Sequence, residues 1–395
     1  MATASLSFSI PPPPPTVPRG YTVQSVVRAC DILRSFRSDE EELNLNDIAK
    51  RCTMNTPTAL RLLHTLTQCG MVERRQKQYR LISNPKSGKR YRIGFGAQGA
   101  ESSFARLVAE SVQRSALEAR VELIMLDNRY NSKIAIRNAE AFAREGVDLV
   151  IEFQTDERCA ATISGVLAEK SIPMIAIEIP HPGALYFGAN NHRAGYLAGR
   201  RLAHACIAEW KEQYDEILLM DLAMAGPLPK ARLTGILDGL REILPTFAQN
   251  KVCVLDGAGR YQKSFEVVRK HLKRSFAKRV LLSGVNDPGC LGALHAFVES
   301  GRAPYCFAVG QNATIEARRE MRNPGSRLIG SVGYFPESYG DAVMSLAMKT
   351  LQKKELPSAV FTKHTMITPN NVNKYYPNDN LISETGTNLM LYSMR

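Results

Sequence analysis

Residues 46–82, NDIAKRCTMNTPTALRLLHTLTQCGMVERRQKQYRLI, predict two short helices separated by a tight turn and followed by a basic β-hairpin. Thr56 is placed to cap the second helix, and Pro57 suits its first position, where a missing N–H costs nothing. An apolar stripe at helical spacing consists of Ala59, Leu62, Leu63 and Leu66. The stripe is expected to pack, which leaves the opposite face of the second helix free to enter a groove.

The segment after this helix predicts a cationic hairpin. Gly70 ends the helix, and residues 71–75 and 78–81 alternate like two strands around a tip at Gln76-Lys77. Together these features predict a winged helix-turn-helix that binds double-stranded DNA. The predicted contacts are Thr56, Thr58, Leu60, Arg61, His64 and Gln68 on the second helix and Arg74, Arg75 and Lys77 on the hairpin. The alternative is a small helical packing module with a solvated basic hairpin.

Residues 23–81 resemble the winged-helix domain of isocitrate-lyase-regulator (IclR) type bacterial repressors. The resemblance is carried, in one continuous order, by VQSVVRACDIL, LNDIAKRC, TPTALRLLHTLTQCGMVER and YRL. It implies an operator with two half-sites, and therefore a homodimer whose symmetry matches the operator.

Charge and length agree with a DNA-binding domain joined to a larger body. The 395 residues carry a net charge of +13, and residues 19–90 contain 14 Lys and Arg against 7 Asp and Glu. About half of the excess charge therefore lies in less than a fifth of the chain. The body has ample apolar content for its own core, since 44% of all residues are hydrophobic.

Several function classes lack their motifs. The sequence contains no HExxH, GxSxG, Walker A or GxGxxG pattern, and the glycines of IGFGAQGAES have a different spacing. The eight cysteines are scattered, without CxxC or histidine partners at metal-ligand spacing, and are expected to be reduced thiols. We therefore predict a protein that is not an enzyme and holds no cofactor or metal.

Residues 1–20 are predicted to be a disordered, Pro-rich tail. They lack the positive start of a signal peptide, and the short apolar stretch runs into Pro11–Pro15. No run approaches the roughly 18 apolar residues of a membrane span. These features predict a cytoplasmic protein with no membrane contact.

From Tyr91 onward, buried apolar strands alternate with amphipathic helices. This order predicts an α/β fold with doubly wound parallel sheets in two lobes and a ligand cleft at the carboxyl ends of the strands. The predicted domains are a winged helix-turn-helix at 21–83, a linker at 84–90 and a body at 91–380. One lobe is expected to contain 91–190 and 311–334, and the other 191–310 and 335–380.

This body resembles the type I periplasmic sugar-binding-protein fold used by the lactose-repressor (LacI) family. The segments that carry the resemblance are IPMIAIEI, GANNHRAGYLAGRRLA, ARLTGILDGL, SGVNDPGCLGALHAF, FAVGQNA, SVGYFPESYG and ITPNNVNKYYPND. The resemblance implies two lobes, a hinge and a cleft that binds a sugar or a similar small polar effector.

The residues that match the effector-binding positions of this family are Phe104, Glu178, Arg232, Asn286, Asp287, Asn312 and Tyr334. Carboxylates, amides and a guanidinium suit a polyhydroxyl ligand because each makes paired hydrogen bonds, while aromatic rings cover its apolar face. The chain departs from the family at Glu178-Ile179, where many sugar binders have Asp-Arg, and at Asn312, where many have Asp. The identity and class of the sugar stay open, and the alternative role of each of these residues is that of a loop polar group or of a salt bridge that closes the lobes.

Taken together, these patterns predict an effector-responsive transcriptional regulator. The alternatives are a solute-binding component of a transporter, which needs a signal peptide and no DNA-reading domain, and a sugar-modifying enzyme, which needs a catalytic base with a partner acid or metal. The interpretation also predicts that Arg232→Ala leaves the fold near wild type, because an empty cleft is solvated.

Overall fold

The computed structural model describes residues 23–38, 41–82 and 91–379. The chain divides between Arg90 and Tyr91 into two compact units, here called the N-terminal unit and the C-terminal unit. The predicted tail at 1–20 and linker at 84–90 lie outside the described residues. No helix of the described ranges is long and apolar enough to cross a membrane.

The described residues of the N-terminal unit form three helices and a small sheet. Its elements are α1 (Gln24–Arg34), β1 (Glu42–Asn44), α2 (Leu45–Arg51), α3 (Thr56–Gln68), β2 (Val72–Arg75) and β3 (Gln78–Leu81). The strands form an antiparallel sheet in the order β1-β3-β2. The predicted hairpin is therefore present, and β1, which the pattern did not predict, adds a third strand to it.

The predicted apolar stripe of α3 packs into the core of this unit. Ala59, Leu63 and Leu66 are buried, and the core around them also contains Ile32 and Ile48. The predicted cap of α3 was wrong by one residue: Asn55 is the cap, and its side-chain oxygen accepts a hydrogen bond from the backbone N–H of Thr58 at 2.9 Å. The helix thus begins at Thr56, because the amide of Asn55 satisfies a free N–H of the first turn.

Residues 91–379 of the C-terminal unit form two six-stranded sheets. Its strands are β4 (Arg92–Ala97), β5 (Glu122–Asp127), β6 (Leu149–Glu152), β7 (Met174–Ile177), β8 (Leu185–Gly188), β9 (Glu216–Asp221), β10 (Val252–Asp256), β11 (Val280–Gly284), β12 (Cys306–Asn312), β13 (Leu328–Gly333), β14 (Ala359–Phe361) and β15 (Thr365–Ile367). The first sheet has the order β14-β8-β7-β6-β4-β5 and the second the order β10-β9-β11-β12-β13-β15. All pairings are parallel except that of β13 with β15, which confirms the predicted fold class.

Helices cover the two sheets. They are α4 (Ser103–Ala119), α5 (Ser132–Glu145), α6 (Ala160–Ala168), α7 (Asn191–Trp210), α8 (Pro227–Ile243), α9 (Tyr261–Leu272), α10 (Asp287–Glu299), α11 (Ile315–Arg322), α12 (Tyr339–Leu351) and α13 (Val372–Tyr375). We call the part built on the first sheet the first lobe and the part built on the second sheet the second lobe.

The predicted division into lobes was wrong after residue 310. Strand β12 pairs with β11 on one side and with β13 on the other in the second sheet, so 311–334 does not join the first lobe. The following helix, α12, packs on α4 of the first lobe, and β14 extends the first sheet while β15 extends the second. The chain therefore crosses between the lobes three times, after β8, after β13 and after β14.

Helices α7 and α8 approach each other with backbone nearly in contact. A Cβ atom on Gly195 would lie 1.9 Å from the carbonyl oxygen of Arg232, and one on Gly235 would lie 2.1 Å from that of His192. Larger residues cannot occupy these two positions without separating the helices. This close packing places the Arg232 side chain beside the beginning of α7.

Candidate functional site

A cavity of about 350 Å³ lies between the two lobes, at the carboxyl ends of the parallel strands. The first lobe contributes Gln98, Glu101, Ser102, Phe104, Tyr130, Phe153, Gln154, Thr155, Glu178 and Ile179 to its wall. The second lobe contributes Leu222, Met224, Ala225, Pro229, Arg232, Ala258, Gly259, Arg260, Tyr261, Val285, Asn286, Pro288, Asn312 and Thr314. The position agrees with the cleft expected for doubly wound sheets.

An ion pair joins the lobes at the wall of this cavity. Arg232 Nη2 donates to Glu178 Oε2 at 2.8 Å, and both side chains are buried. The other carboxylate oxygen of Glu178 accepts from the hydroxyl of Tyr339 at 2.7 Å. Because Glu178 follows β7 and Arg232 lies on α8, the pair ties the first lobe to the second.

The guanidinium of Arg232 is held on several sides. Its Nε donates to Asn191 Oδ1 at 2.6 Å and its Nη1 donates to the carbonyl oxygen of Val285 at 2.7 Å. The ring of Tyr334 lies beneath it, 5.0 Å from the guanidinium carbon to the ring centroid. Three of the five N–H groups are therefore engaged within the protein.

Phe104 supplies an aromatic wall. Its ring meets those of Phe153, Tyr334 and Tyr339 edge to face, with centroid distances of 6.3, 6.4 and 5.7 Å. The edge-to-face packing holds the Phe104 ring in one orientation at the amino end of α4.

The first lobe also provides amide and hydroxyl groups that the sequence analysis missed. Tyr130 donates to Gln98 Oε1 at 2.9 Å, and Gln98 Nε2 donates to Thr155 Oγ1 at 2.5 Å. Gln154 lies 3.4 Å from the ring of His181, whose pKa burial lowers to about 4, so that this ring is neutral at pH 7. These cavity residues follow β4, β5 and β6 directly, and that position after a buried strand was the signal that could have identified them.

Asn312 combines an unusual backbone with a free acceptor. Its φ is +102°, in the region that favours glycine, and its side-chain oxygen is buried without a hydrogen-bond partner among the described residues. Strain and an unsatisfied buried oxygen are both unfavourable, and they are typical of positions that serve a ligand.

Asn286 lines the cavity, but its amide already serves the fold. Its oxygen caps α10 by accepting from the N–H of Gly289, and its nitrogen donates to the carbonyl of Gly259, both at 2.9 Å. Asn286 therefore shapes the second-lobe wall more than it offers free hydrogen-bonding groups.

Two of the predicted residues lie outside the cavity wall. Asp287 is fully buried and accepts from Ser331 Oγ at 2.6 Å and from the N–H of Thr314 at 2.7 Å. Burial raises the pKa of its carboxyl to about 7, against these hydrogen bonds. Tyr334 is buried behind Arg232 and donates to Gln311 at 3.0 Å. The structure thus brings Phe104, Glu178, Arg232, Asn286 and Asn312 together around the cavity and leaves Asp287 and Tyr334 as supports behind it.

The N-terminal unit presents a second candidate surface. On α3, the residues that point away from the core are exposed, namely Thr56, Leu60, Arg61, His64 and Gln68, and Thr58 is half-buried. On the hairpin, Arg74, Arg75 and Lys77 are exposed. Arg75 pairs with Glu73 at 2.9 Å, and Arg74 Nε donates to the carbonyl oxygen of Gln76 at 3.1 Å. An exposed helix face beside a cationic hairpin is suited to contact with a major groove and its phosphates.

Comparison with known families finds a match in each unit. The family described as periplasmic binding protein domain matches residues 93–355, and the IclR helix-turn-helix domain matches residues 25–76. No curated protein sequence matches the chain at a significant level.

Solved structures share the fold of the larger unit. A periplasmic solute-binding protein from Actinobacillus succinogenes with bound D-allose is 15% identical and covers 72% of this chain and 100% of its own, with a TM-score of 0.63. A solute-binding protein from Bacillus halodurans with bound myo-inositol is 18% identical and covers 72% of this chain and 97% of its own, with a TM-score of 0.62. At these identities the similarity establishes the fold.

Proposed function

Because the chain belongs to the periplasmic binding protein domain family and carries an IclR helix-turn-helix domain, we propose that it is an effector-responsive DNA-binding transcriptional regulator. The observation that carries the proposal is the exposed face of α3 beside a basic hairpin, on the same chain as an interlobe cavity. A solute-binding component of a transporter does not need a surface that binds DNA.

The proposed DNA contacts divide by chemistry. Arg61, His64 and Gln68 on α3 read base edges, since they can donate or accept hydrogen bonds in a major groove. Arg74, Arg75 and Lys77 bind phosphates and orient the unit on the duplex. The proposed assembly is a homodimer on an operator with two half-sites, in the cytoplasm.

The proposed effector is a neutral sugar, polyol or similar small polar metabolite. The charged side chains of the wall are Glu101, Glu178, Arg232 and Arg260, so that the formal charges cancel. The amide of Asn312 and the guanidinium of Arg232 suit hydroxyl groups, while the Phe104 ring suits an apolar sugar face. Related folds bind D-allose and myo-inositol, which are ligands of this class.

A two-lobed protein can have its lobes apart or closed around a ligand. A ligand that contacts both lobes favours the closed arrangement, to the extent that it binds that arrangement more tightly than the open one. We propose that this closure changes DNA affinity, with the chain acting as a switch and not as a catalyst.

The test begins with a thermal-shift screen of the full chain against monosaccharides, polyols and small organic acids, because a ligand of the folded state raises the unfolding temperature. DNA that the chain selects from a random pool is then titrated with and without the hit. The expected result is a DNA affinity that changes at least several-fold with the ligand. Ligand binding without selective DNA binding would instead favour the transport component.

A matched pair of variants ties the ligand to the cavity. Asn312→Gly removes the cavity amide and suits the backbone at a φ of +102°. Asn323→Gly removes an amide of the same lobe that bonds only to Glu320, away from the cavity. The first variant is expected to weaken ligand binding roughly tenfold, about 1.4 kcal/mol, and the second to leave it unchanged.

A further inference from the structure

Three metal-ligating side chains converge in the second lobe, at the end of the sheet opposite the cavity. Glu216 begins β9, Cys253 is the second residue of the edge strand β10, and His271 lies in the last turn of α9. One ligand atom from each lies within 4.8 Å of the other two. Since the residues are 18 to 55 positions apart, only the tertiary structure assembles the group.

Two of the three side chains are already in contact. His271 Nε2 lies 2.6 Å from Glu216 Oε1, which is the distance of an ion pair. The nitrogen is buried and makes no hydrogen bond of acceptable geometry with a described residue. A metal ion would replace the proton of this ion pair and bind both side chains.

We propose that Glu216, Cys253 and His271 form a binding site for a zinc-like divalent transition metal ion. Thiolate, imidazole and carboxylate together suit Zn²⁺ or Co²⁺, whereas Mg²⁺ and Ca²⁺ prefer oxygen ligands alone. Zinc–ligand distances of about 2.0–2.3 Å in tetrahedral geometry place ligand atoms roughly 3.3–3.8 Å apart. An ion would therefore need the Glu216–His271 contact of 2.6 Å to open by roughly 0.7 Å, and separations near the 4.8 Å limit to close by about 1 Å.

The surroundings support the carboxylate in this role. Ser275 Oγ donates to Glu216 Oε2 at 3.0 Å, which orients the carboxylate so that Oε1 faces the histidine and cysteine. Such an outer hydrogen bond typically accompanies a metal-ligating carboxylate. On binding, the Cys253 thiol releases its proton to solvent and the thiolate coordinates the ion, with a water completing four ligands.

The site joins three elements that are separate in sequence. A metal ion would tether the end of α9 to the first residues of β9 and β10, and the amino end of α9, at Tyr261, lines the effector cavity. The proposal does not depend on the regulatory function, because none of the three residues lines the cavity or belongs to the N-terminal unit.

The experiment uses the full chain, stripped with a chelator and titrated first with Co²⁺. The expected spectrum has a sulfur-to-cobalt charge-transfer band and the visible bands of tetrahedral cobalt, with saturation at one ion per chain. Zn²⁺ added afterwards is expected to abolish both. A spectrum without the thiolate band, or no stoichiometric binding, overturns the proposal without any variant.

Matched variants then locate the site. Cys253→Ser and His271→Gln are expected to weaken Zn²⁺ binding by at least roughly tenfold in calorimetric titration. The controls Cys69→Ser and His204→Gln change exposed residues of the same types and are expected to bind as wild type. Equal binding by Cys253→Ser and wild type overturns the assignment. If a site variant fails to fold, alkylation of the wild-type chain decides: Zn²⁺ must protect Cys253 and leave Cys69 reactive.

Discussion

Replacing Arg232 by methionine removes the cation of a buried ion pair and keeps most of the side-chain volume. The Arg232 and Glu178 side chains are only 8% and 9% exposed, and their charged atoms lie 2.8 Å apart. Removal of one partner leaves the carboxylate uncompensated in the interior, so the variant is expected to lose about 3–5 kcal/mol of unfolding free energy. This revises the sequence-based expectation of a near-wild-type fold, which treated Arg232 as solvated.

A double-mutant cycle separates the charge effect from the packing effect. Glu178→Gln in the Arg232→Met background removes the remaining charge, so the double variant is expected to be more stable than the sum of the single losses by about 2 kcal/mol or more. Arg241→Met is the control, because it breaks the exposed pair with Asp238 on the same helix and is expected to change stability little.

Urea unfolding followed by tryptophan fluorescence measures these differences. Trp210 is the only tryptophan in the sequence, and it stacks on Phe307 in the core of the C-terminal unit with a centroid distance of 4.2 Å. Its emission therefore reports this unit alone. If Arg232→Met unfolds at the same urea concentration as the wild type, the ion pair does not stabilise the contact between the lobes. The same conclusion follows if the double variant loses as much unfolding free energy as the two single variants together.

Three further outcomes follow from particular side chains. Arg61→Ala and His64→Ala are expected to abolish operator selectivity, whereas Lys77→Ala weakens binding to all DNA and flattens its salt dependence. Gel-shift titration on operator and random DNA at two salt concentrations measures both effects, and an equal loss of binding to both DNAs in Arg61→Ala contradicts the prediction. Burial raises the pKa of Glu152 from 4.5 to about 8, so its carboxyl ionises at lower pH in the unfolded chain, and the unfolding free energy of the wild type falls relative to that of Glu152→Gln as pH rises from about 4.5 to 8. Urea unfolding across that range measures the difference between the two proteins, and a difference that stays constant argues against a neutral buried acid. A fragment that begins near Lys89 is expected to fold and bind effector by itself, as circular dichroism and calorimetry measure, and an insoluble fragment would indicate a shared core.

The local patterns of the sequence were sufficient for the elements and the fold class. The stripe of Ala59, Leu62, Leu63 and Leu66 predicted which face of α3 packs, and the structure buries all of these residues except Leu62, which is half-buried. The runs of apolar strand residues alternating with amphipathic helices predicted parallel sheets, because such strands need cover on both faces. Short elements without a strong pattern were missed, including β8, β14, β15 and α11.

The candidate site was predicted only in part, since spacing along the chain does not say which polar groups are already engaged. Glu178 and Arg232 were identified as cavity residues with a salt bridge between the lobes as the alternative role, but which two residues form that bridge was not predicted. Asp287 carried the chemistry of a ligand-binding residue, yet Ser331 and Thr314 occupy its oxygens. The amides of Gln98 and Gln154 became recognisable once the strand ends were placed side by side.

By itself, the sequence determined the winged helix-turn-helix, the alternation of strands and helices and the face that each helix buries, since these depend on residues a few positions apart. Tertiary structure alone decided the lobe to which β12 and β13 belong, the partners of Arg232 and the meeting of Glu216, Cys253 and His271. Those features depend on strand pairing and packing between distant segments. Local periodicity contains no information about which distant segments will meet.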